Sequence, residues 1–260
     1  MFSEKKTTGS PSEKSKTPRS DYIFARQKEL VLDLVTPLAG ERLLDVGCGT
    51  GNHLQIFNGK WCSLTGIDPA REKLDIARKK YGDRVELIKA DPRDIPFPDN
   101  EFDIVTIINY LEIAEDPPKV IEEAIRVCRG RVFIGFLNNY SFFGTRQGLK
   151  EAFGFRISKD MRFFSFPEVR NMVRNLLDSP AMKWGSVIYF PRIVYDFFEE
   201  LEEIFPLQKN PFGAFVGMTF PVNYTYRTAQ SPIVNSFALK ANARDTAPGV
   251  VRGMLRQVPK

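Results

Sequence analysis

The chain has 260 residues, 43% of them hydrophobic, enough to bury the core of one sizeable α/β domain but not comfortably a second. Its formal charge of +5 is carried by its ends: residues 1–20 hold five Lys/Arg against two Glu, residues 226–260 hold six against one Asp, and the stretch between is slightly acidic at −3. That distribution argues against a basic nucleic-acid-binding body. No apolar run of 18 residues could span a membrane, and the first twenty residues match neither a signal nor a transit peptide. Three cysteines without CxxC spacing argue against a disulfide framework or a zinc site.

These features imply a cytoplasmic location, a body at 21–225, and flexible basic tails at 1–20 and 226–260. In chain order, an amphipathic segment "YIFARQKELVLDLVTPL" leads to "ERLLDVG", short, apolar and stopped by glycine as a buried strand would be. "SLTGIDP" reads as a second strand and "AREKLDIARKK" as a helix with Leu74 and Ala77 inward. "RVELIKAD" and "EFDIVTIIN" read as the third and fourth strands, "DPPKVIEEAIRVC" as a helix capped by Asp116 with Pro117 behind it, and "RVFIGFLN" as the fifth strand. This alternation predicts parallel pairing in a doubly wound sheet with helices on both faces.

Residues 139–164 are too irregular to place. Beyond them a helix "FPEVRNMVRNLL", a strand "WGSVIYFP", an acidic helix "YDFFEELEEIF" and a strand "GAFVGMTFPV" complete an expected seven-stranded, mostly parallel Rossmann-like sheet.

The chemistry concentrates in "LLDVGCGTGNH", residues 43–53. In a doubly wound sheet the ligand lies beyond the carboxyl ends of the strands, and the first strand-to-helix turn carries glycines so that it can approach bare backbone. A dinucleotide fingerprint would read G-x-G-x-x-G. Here the glycines are Gly47, Gly49 and Gly51, and Asp45 stands two residues before the first of them. A carboxylate there would repel a pyrophosphate and attract an ammonium, such as the amino-acid end of S-adenosylmethionine. Asp68 ends the second strand 21 residues after Gly47, where this fold places a carboxylate for two ribose hydroxyls; as a bare feature it could equally cap the helix before "PAREKL".

"LLDVGCGTG", "LTGIDPAREKLDIARKK", "KADPRDIPFPDNEFDIV" and "RVFIGFLN", in this order, resemble the class I S-adenosylmethionine-dependent methyltransferases of the type 11, small-molecule group, over residues 22–138. The resemblance implies S-adenosylmethionine as cofactor and no metal. It places Asp45, Gly47, Cys48, Gly49, Gly51, Asp68, Pro69, Ala90, Asp91, Pro92 and Asn109 around that cofactor, with Asp91 accepting from the adenine amino group and Asn109 near the methionine portion. Phe97 and Phe102 are expected to pack, and Asp103 to be an internal structural acid. Many relatives carry a histidine in a "LEH"-like stretch after strand four, where this chain reads "NYLEIAED" with Ile113. That leaves Tyr110, Glu112 and His53 as candidate catalytic groups.

Methyl transfer from a sulfonium is an in-line displacement, so alignment in a dry pocket supplies much of the acceleration and a general base is optional. Of 22 phenylalanines, 16 lie between Phe133 and Phe220. Those not absorbed by the core suggest an apolar or aromatic-lined pocket for a small acceptor, with 139–183 as an acceptor-side lid and Arg146, Lys150, Arg156 and Arg162 available for an acidic group. Two other functions stay open: a non-catalytic cofactor-binding regulator or scaffold, suggested by the missing histidine, and an RNA methyltransferase using the basic tails. Against the latter, "NYLE" replaces the motif for exocyclic amines and no cysteine pair is placed for base methylation. Oligomeric state is not legible.

Overall fold

A computed structural model of the chain describes residues 18–141, 161–188 and 211–222. Seven strands form one sheet: β1 (Arg42–Val46), β2 (Ser63–Asp68), β3 (Glu86–Lys89), β4 (Phe102–Ile108), β5 (Cys128–Leu137), β6 (Lys183–Val187) and β7 (Phe215–Pro221). Their order is β3-β2-β1-β4-β5-β7-β6. The first five are parallel, and β7 runs antiparallel to both β5 and β6. The helices are α1 (Pro18–Val35), the single turn α2 (Leu54–Phe57), α3 (Arg71–Tyr81), α4 (Pro117–Val127) and α5 (Phe166–Leu176). Among the described residues, no helix is long and apolar enough to cross a membrane.

The strands read as unbroken apolar runs because both faces are covered. Side chains alternate across a strand, so Leu43, Ile104 and Phe133 join α1, α2 and α3 in one core, while Leu44, Val105 and Ile134 join α4 and α5 in the other. Two glycines face each other in the β5–β7 pair, Gly135 and Gly217. A side chain on either would run into the Phe133 ring, so their bareness is what admits it. Helix starts follow local chemistry. Asp116 accepts the Lys119 N–H ahead of α4, and Ser165 and Glu168 form a reciprocal capping box at α5.

Three expectations change. Strand β5 begins at Cys128, three residues early, because α4 runs directly into it. The ladder shifts register between Phe102 and Ile104, where Gly130 lies so close to the Asp103 carbonyl that a Cβ would sit 2.3 Å from it. Within the stretch 139–183 expected to form a lid, Phe164, Val169 and Val173 are fully buried, so α5 belongs to the body, packed beside α4, and residues 142–160 lie outside the described residues. Phe133, Phe136, Phe164, Phe215 and Phe220 are likewise core and line no acceptor pocket. The expected helix 195–205, both tails, and Arg146, Lys150 and Arg156 lie outside the described residues.

Asp103 is a structural acid here. It accepts from Arg129 Nε (2.6 Å) and Nη2 (2.8 Å) and from the Arg42 N–H (2.9 Å), and these partners hold its pKa below the ordinary range against the cost of burial. Phe97 and Phe102 meet edge to face at 4.9 Å.

Removing the Phe133 ring should leave a cavity that the two flanking glycines cannot collapse to fill. Phe133→Ala is therefore expected to lower the unfolding free energy by about 3–5 kcal/mol. Urea denaturation measures this, and a loss under about 1 kcal/mol would contradict the packing described.

Candidate functional site

The glycine loop leaves β1 and is held by β2. Gly47, Gly49 and Gly51 all adopt positive φ (73°, 55° and 75°), a region that L side chains occupy only at a cost. Four of the loop's N–H groups are already engaged inside the protein. Those of Gly47 and Cys48 go to the Ile67 carbonyl (2.8 and 2.9 Å), that of Gly49 to Asp68 Oδ2 (2.9 Å), and that of Gly51 to the Cys48 carbonyl (2.9 Å). A phosphate cradle works by offering such donors to the ligand. This loop offers few, and α2 behind it is a single turn.

Carboxylates stand at the ends of the three neighbouring strands. Asp45 is 1% exposed: its Oδ1 accepts from Thr106 Oγ1 at 2.8 Å, while its buried Oδ2 has no partner among the described residues. Burial, opposed by Thr106 and reinforced by the charge of Asp68, lifts its pKa to about 7. Asp68 is buried too, with Oδ1 taking the Ala70 N–H (2.8 Å) and Oδ2 that of Gly49. Ala70, not Asp68, is the N-cap of α3. Each carboxylate oxygen of Asp68 keeps further acceptor capacity. Asp91 lies just beyond β3 with its side chain 46% exposed, gripped by Arg93 Nη2 (2.9 Å) and Nε, and Arg93 pairs in turn with Glu115. The Arg93 contacts hold the Asp91 pKa low.

The other expected cofactor residues are placed unevenly. Ala90 is half-buried, Pro92 buried and Pro69 exposed. Cys48 turns its thiol into the core, so close to Gly66 that a Cβ there would sit 2.8 Å from Sγ; only its backbone faces the loop, and burial pushes its pKa far up. Asn109, at the tip of β4 with φ 53°, has a buried Oδ1 without a partner, and its Nδ2 lies 3.5 Å from His53 Nε2.

Of the catalytic candidates, His53 is the N-cap of α2, and burial together with Lys80 lowers its pKa to about 4, so its ring is neutral at physiological pH. The Tyr110 ring lies on Gly47, and burial raises its phenol to about 12. Glu112 is buried. Its Oε1 accepts the Leu137 N–H at 2.6 Å, its Oε2 has no partner among the described residues, and burial lifts its pKa to about 7, within reach of proton transfer. The Glu112 carbonyl also takes the Arg162 N–H (2.8 Å), while the exposed Arg162 guanidinium lies over the Phe164 ring. Among the described residues no cluster of side chains could hold a metal ion.

Three site residues escape sequence reasoning. Thr106 interrupts the apolar run Ile104–Ile108 of β4 and pairs in register with Asp45, which was a readable signal. Tyr81 donates its hydroxyl to the Gly51 carbonyl and lays its ring on Gly51, a contact that no local pattern announces. Arg93 could have been noticed from its spacing to Asp91.

The model of the methyltransferase domain matches residues 44–134. An uncharacterized protein of Methanocaldococcus jannaschii is 38% identical over 137 residues, 52% of this chain and 63% of that one. A demethylmenaquinone methyltransferase of Bacillus licheniformis is 30% identical over 171 residues, 62% of this chain and 74% of the relative. The chain belongs to the class I S-adenosylmethionine-dependent methyltransferases. Among solved structures, a Thermotoga maritima methyltransferase shares the fold at a TM-score of 0.60 and 23% identity, covering 78% of this chain and 91% of that one. The chain spans 63%, 42% and 52% of the lengths of three curated relatives.

Two outcomes follow. Gly49→Ala meets nothing nearer than 3.8 Å and should cost about 1–2 kcal/mol in backbone strain alone. Gly47→Ala would place a Cβ 2.1 Å from the Tyr110 ring and should cost about 1–3 kcal/mol more. Comparison of the two urea midpoints checks this ordering. The folded-state pKa of Glu112 is raised, so its contribution to stability is complete below the unfolded value near 4.5 and is lost as pH rises through about 7. Glu112→Gln should therefore shrink the difference in unfolding free energy between pH 4 and pH 8 by on the order of 3 kcal/mol. An unchanged pH profile would place the titration elsewhere.

Proposed function

We propose that this chain binds S-adenosylmethionine at the carboxyl ends of β1–β4 and transfers its methyl group to a small, apolar or aromatic acceptor. The observation that carries the reading is the loop itself: its N–H groups are engaged inward, and beneath it lies a buried carboxylate oxygen, Asp45 Oδ2, without a partner. That arrangement suits a ligand with a positive end and disfavours a pyrophosphate.

The residues present fit the cofactor. Asp45, Gly47 and Asn109, with two unpartnered buried oxygens between them, would hold the amino-acid portion. Asp68 would accept from the ribose hydroxyls with the lone pairs that Gly49 and Ala70 leave open, beside Gly49, Gly51 and Pro69. Asp91, flanked by Ala90 and Pro92, would take the adenine edge, sharing its oxygens with Arg93. When bound, S-adenosylmethionine supplies a methyl group on a positively charged sulfur. The chain's part is to orient it and exclude water, and for a protic acceptor Glu112 could take up the proton. An apolar ring-bearing acceptor is supported by the name of the Bacillus licheniformis relative, a demethylmenaquinone methyltransferase.

Calorimetry should show binding of S-adenosylmethionine or S-adenosylhomocysteine and no comparable affinity for NAD or NADP. Asp68→Ala should weaken that binding by about 2–4 kcal/mol, since it removes a charged acceptor, and Asp68→Asn by less. Tight dinucleotide binding without the sulfonium would overturn the reading. A screen of quinones, phenols, thiols and fatty acids with labelled cofactor would identify the acceptor; the absence of transfer to any of them would favour a regulator or an RNA substrate.

A further inference from the structure

Tyr110 has a place in this site that its phenol does not explain. Asn109, in the left-handed conformation with its N–H on the Gly135 carbonyl, turns the chain off the tip of β4 and delivers Tyr110 onto the glycine loop. There its Cβ, Cγ and Cδ2 fill the space that a Cβ on Gly47 would need, at 2.8, 2.3 and 2.1 Å from that position. The ring thus roofs the first glycine of the loop, next to the strand that carries Asp45. The ring's seat, Gly47, lies two residues after Asp45 and two before Gly49, whose N–H is held by the Asp68 carboxylate. It therefore stands between the group suited to an ammonium and the group suited to a ribose. In S-adenosylmethionine the atom between those two ends is the sulfonium.

We propose that the aromatic face of Tyr110 forms the wall against this sulfonium and makes the site sensitive to its charge. The proposal rests on the cofactor reading given above. An aromatic ring attracts a cation through its quadrupole, most strongly where water is excluded. The half-buried ring on Gly47 offers this without a second carboxylate, which would compete for the positive sulfur and hold it in the ground state. The product of transfer, S-adenosylhomocysteine, carries a neutral thioether and gains nothing from the quadrupole. Tyr110 would therefore favour the charged form over the product, and its hydroxyl would be dispensable for this.

The test is the ratio of two dissociation constants, for S-adenosylmethionine and S-adenosylhomocysteine, measured by calorimetry on the full chain and on Tyr110 variants. Tyr110→Phe keeps the ring and should leave the ratio within about twofold. Tyr110→Leu keeps bulk over Gly47 and removes the quadrupole, and should shift the ratio against S-adenosylmethionine by about 3- to 30-fold. Fluorinated phenylalanines at position 110 preserve the ring's shape and weaken its quadrupole stepwise. They should move the ratio in proportion, which keeps the test decisive if the leucine variant does not fold. A purely structural Tyr110 would weaken both ligands together. An unchanged ratio through the fluorinated series, with both ligands still bound, overturns the role given to Tyr110 and leaves the cofactor reading intact. Failure of the unaltered chain to bind either ligand overturns both.

Discussion

The carboxylate of Asp68 is the interaction on which the rest of the site depends. One oxygen holds the Gly49 N–H and the other the Ala70 N–H, so a single buried side chain at the end of β2 fixes both the glycine loop after β1 and the entry to α3. Hydrogen bonds to an ionised acceptor are the stronger kind, and a buried carboxylate lacking them would be costly. The Ile67 carbonyl, one residue earlier on β2, takes the N–H groups of Gly47 and Cys48, so the same strand end holds the loop by backbone and side chain together. Tyr110 covers Gly47 and Tyr81 covers Gly51, so Gly49, with nothing nearer than 3.8 Å to a Cβ built on it, is the glycine left bare toward a ligand.

Charge is distributed by the same logic elsewhere in the described residues. At the amino end of β4, Asp103 satisfies Arg129 and the Arg42 N–H. Arg131 bridges Glu41 and the end of α1 by binding the carbonyls of Val35 and Thr36. Arg126 ties Glu123 and Asp99 to the carbonyls of Ile95 and Phe97, which fixes the linker into β4. Two of the acids at the carboxyl ends, unlike Asp91 with its Arg93, are handled differently. Asp45 and Glu112 each keep one buried oxygen without a partner, and no arginine neutralises either. Structural acids are paired here, and the incompletely satisfied ones collect where the ligand is expected.

Strand and helix positions were legible because both faces of the sheet are buried, which writes the strands as apolar runs bounded by glycine and charge and the helices as periodic stripes. Asp45, Asp68 and Asp91 were legible for a related reason: each ends such a run, and strand ends are where this fold exposes chemistry. What the sequence withheld were pairings between distant residues. The reach of Tyr81 to Gly51, the seat of the Cys48 thiol against Gly66, and that of Tyr110 on Gly47 all join segments more than fifteen residues apart. The phenylalanines of strands β5 and β7 were expected to be partly absorbed by the core, but the means was hidden: Phe133 and Phe215 each lie against a glycine on the neighbouring strand, a relation visible only once the β5–β7 register is known.

The contact between Tyr81 and Gly51 ties the motions of two elements together. Tyr81 is the last residue of α3, followed by Gly82 with φ 56°, and helix ends ordinarily open and close on their own, at little cost and far faster than the whole domain unfolds. Here the final side chain of the helix is also the pin on the loop's third glycine, through both its ring and its hydroxyl. Each time the end of α3 frays, the loop thirty residues earlier loses that restraint, so its third glycine shares the fluctuations of a helix terminus while the first two stay tied to β2.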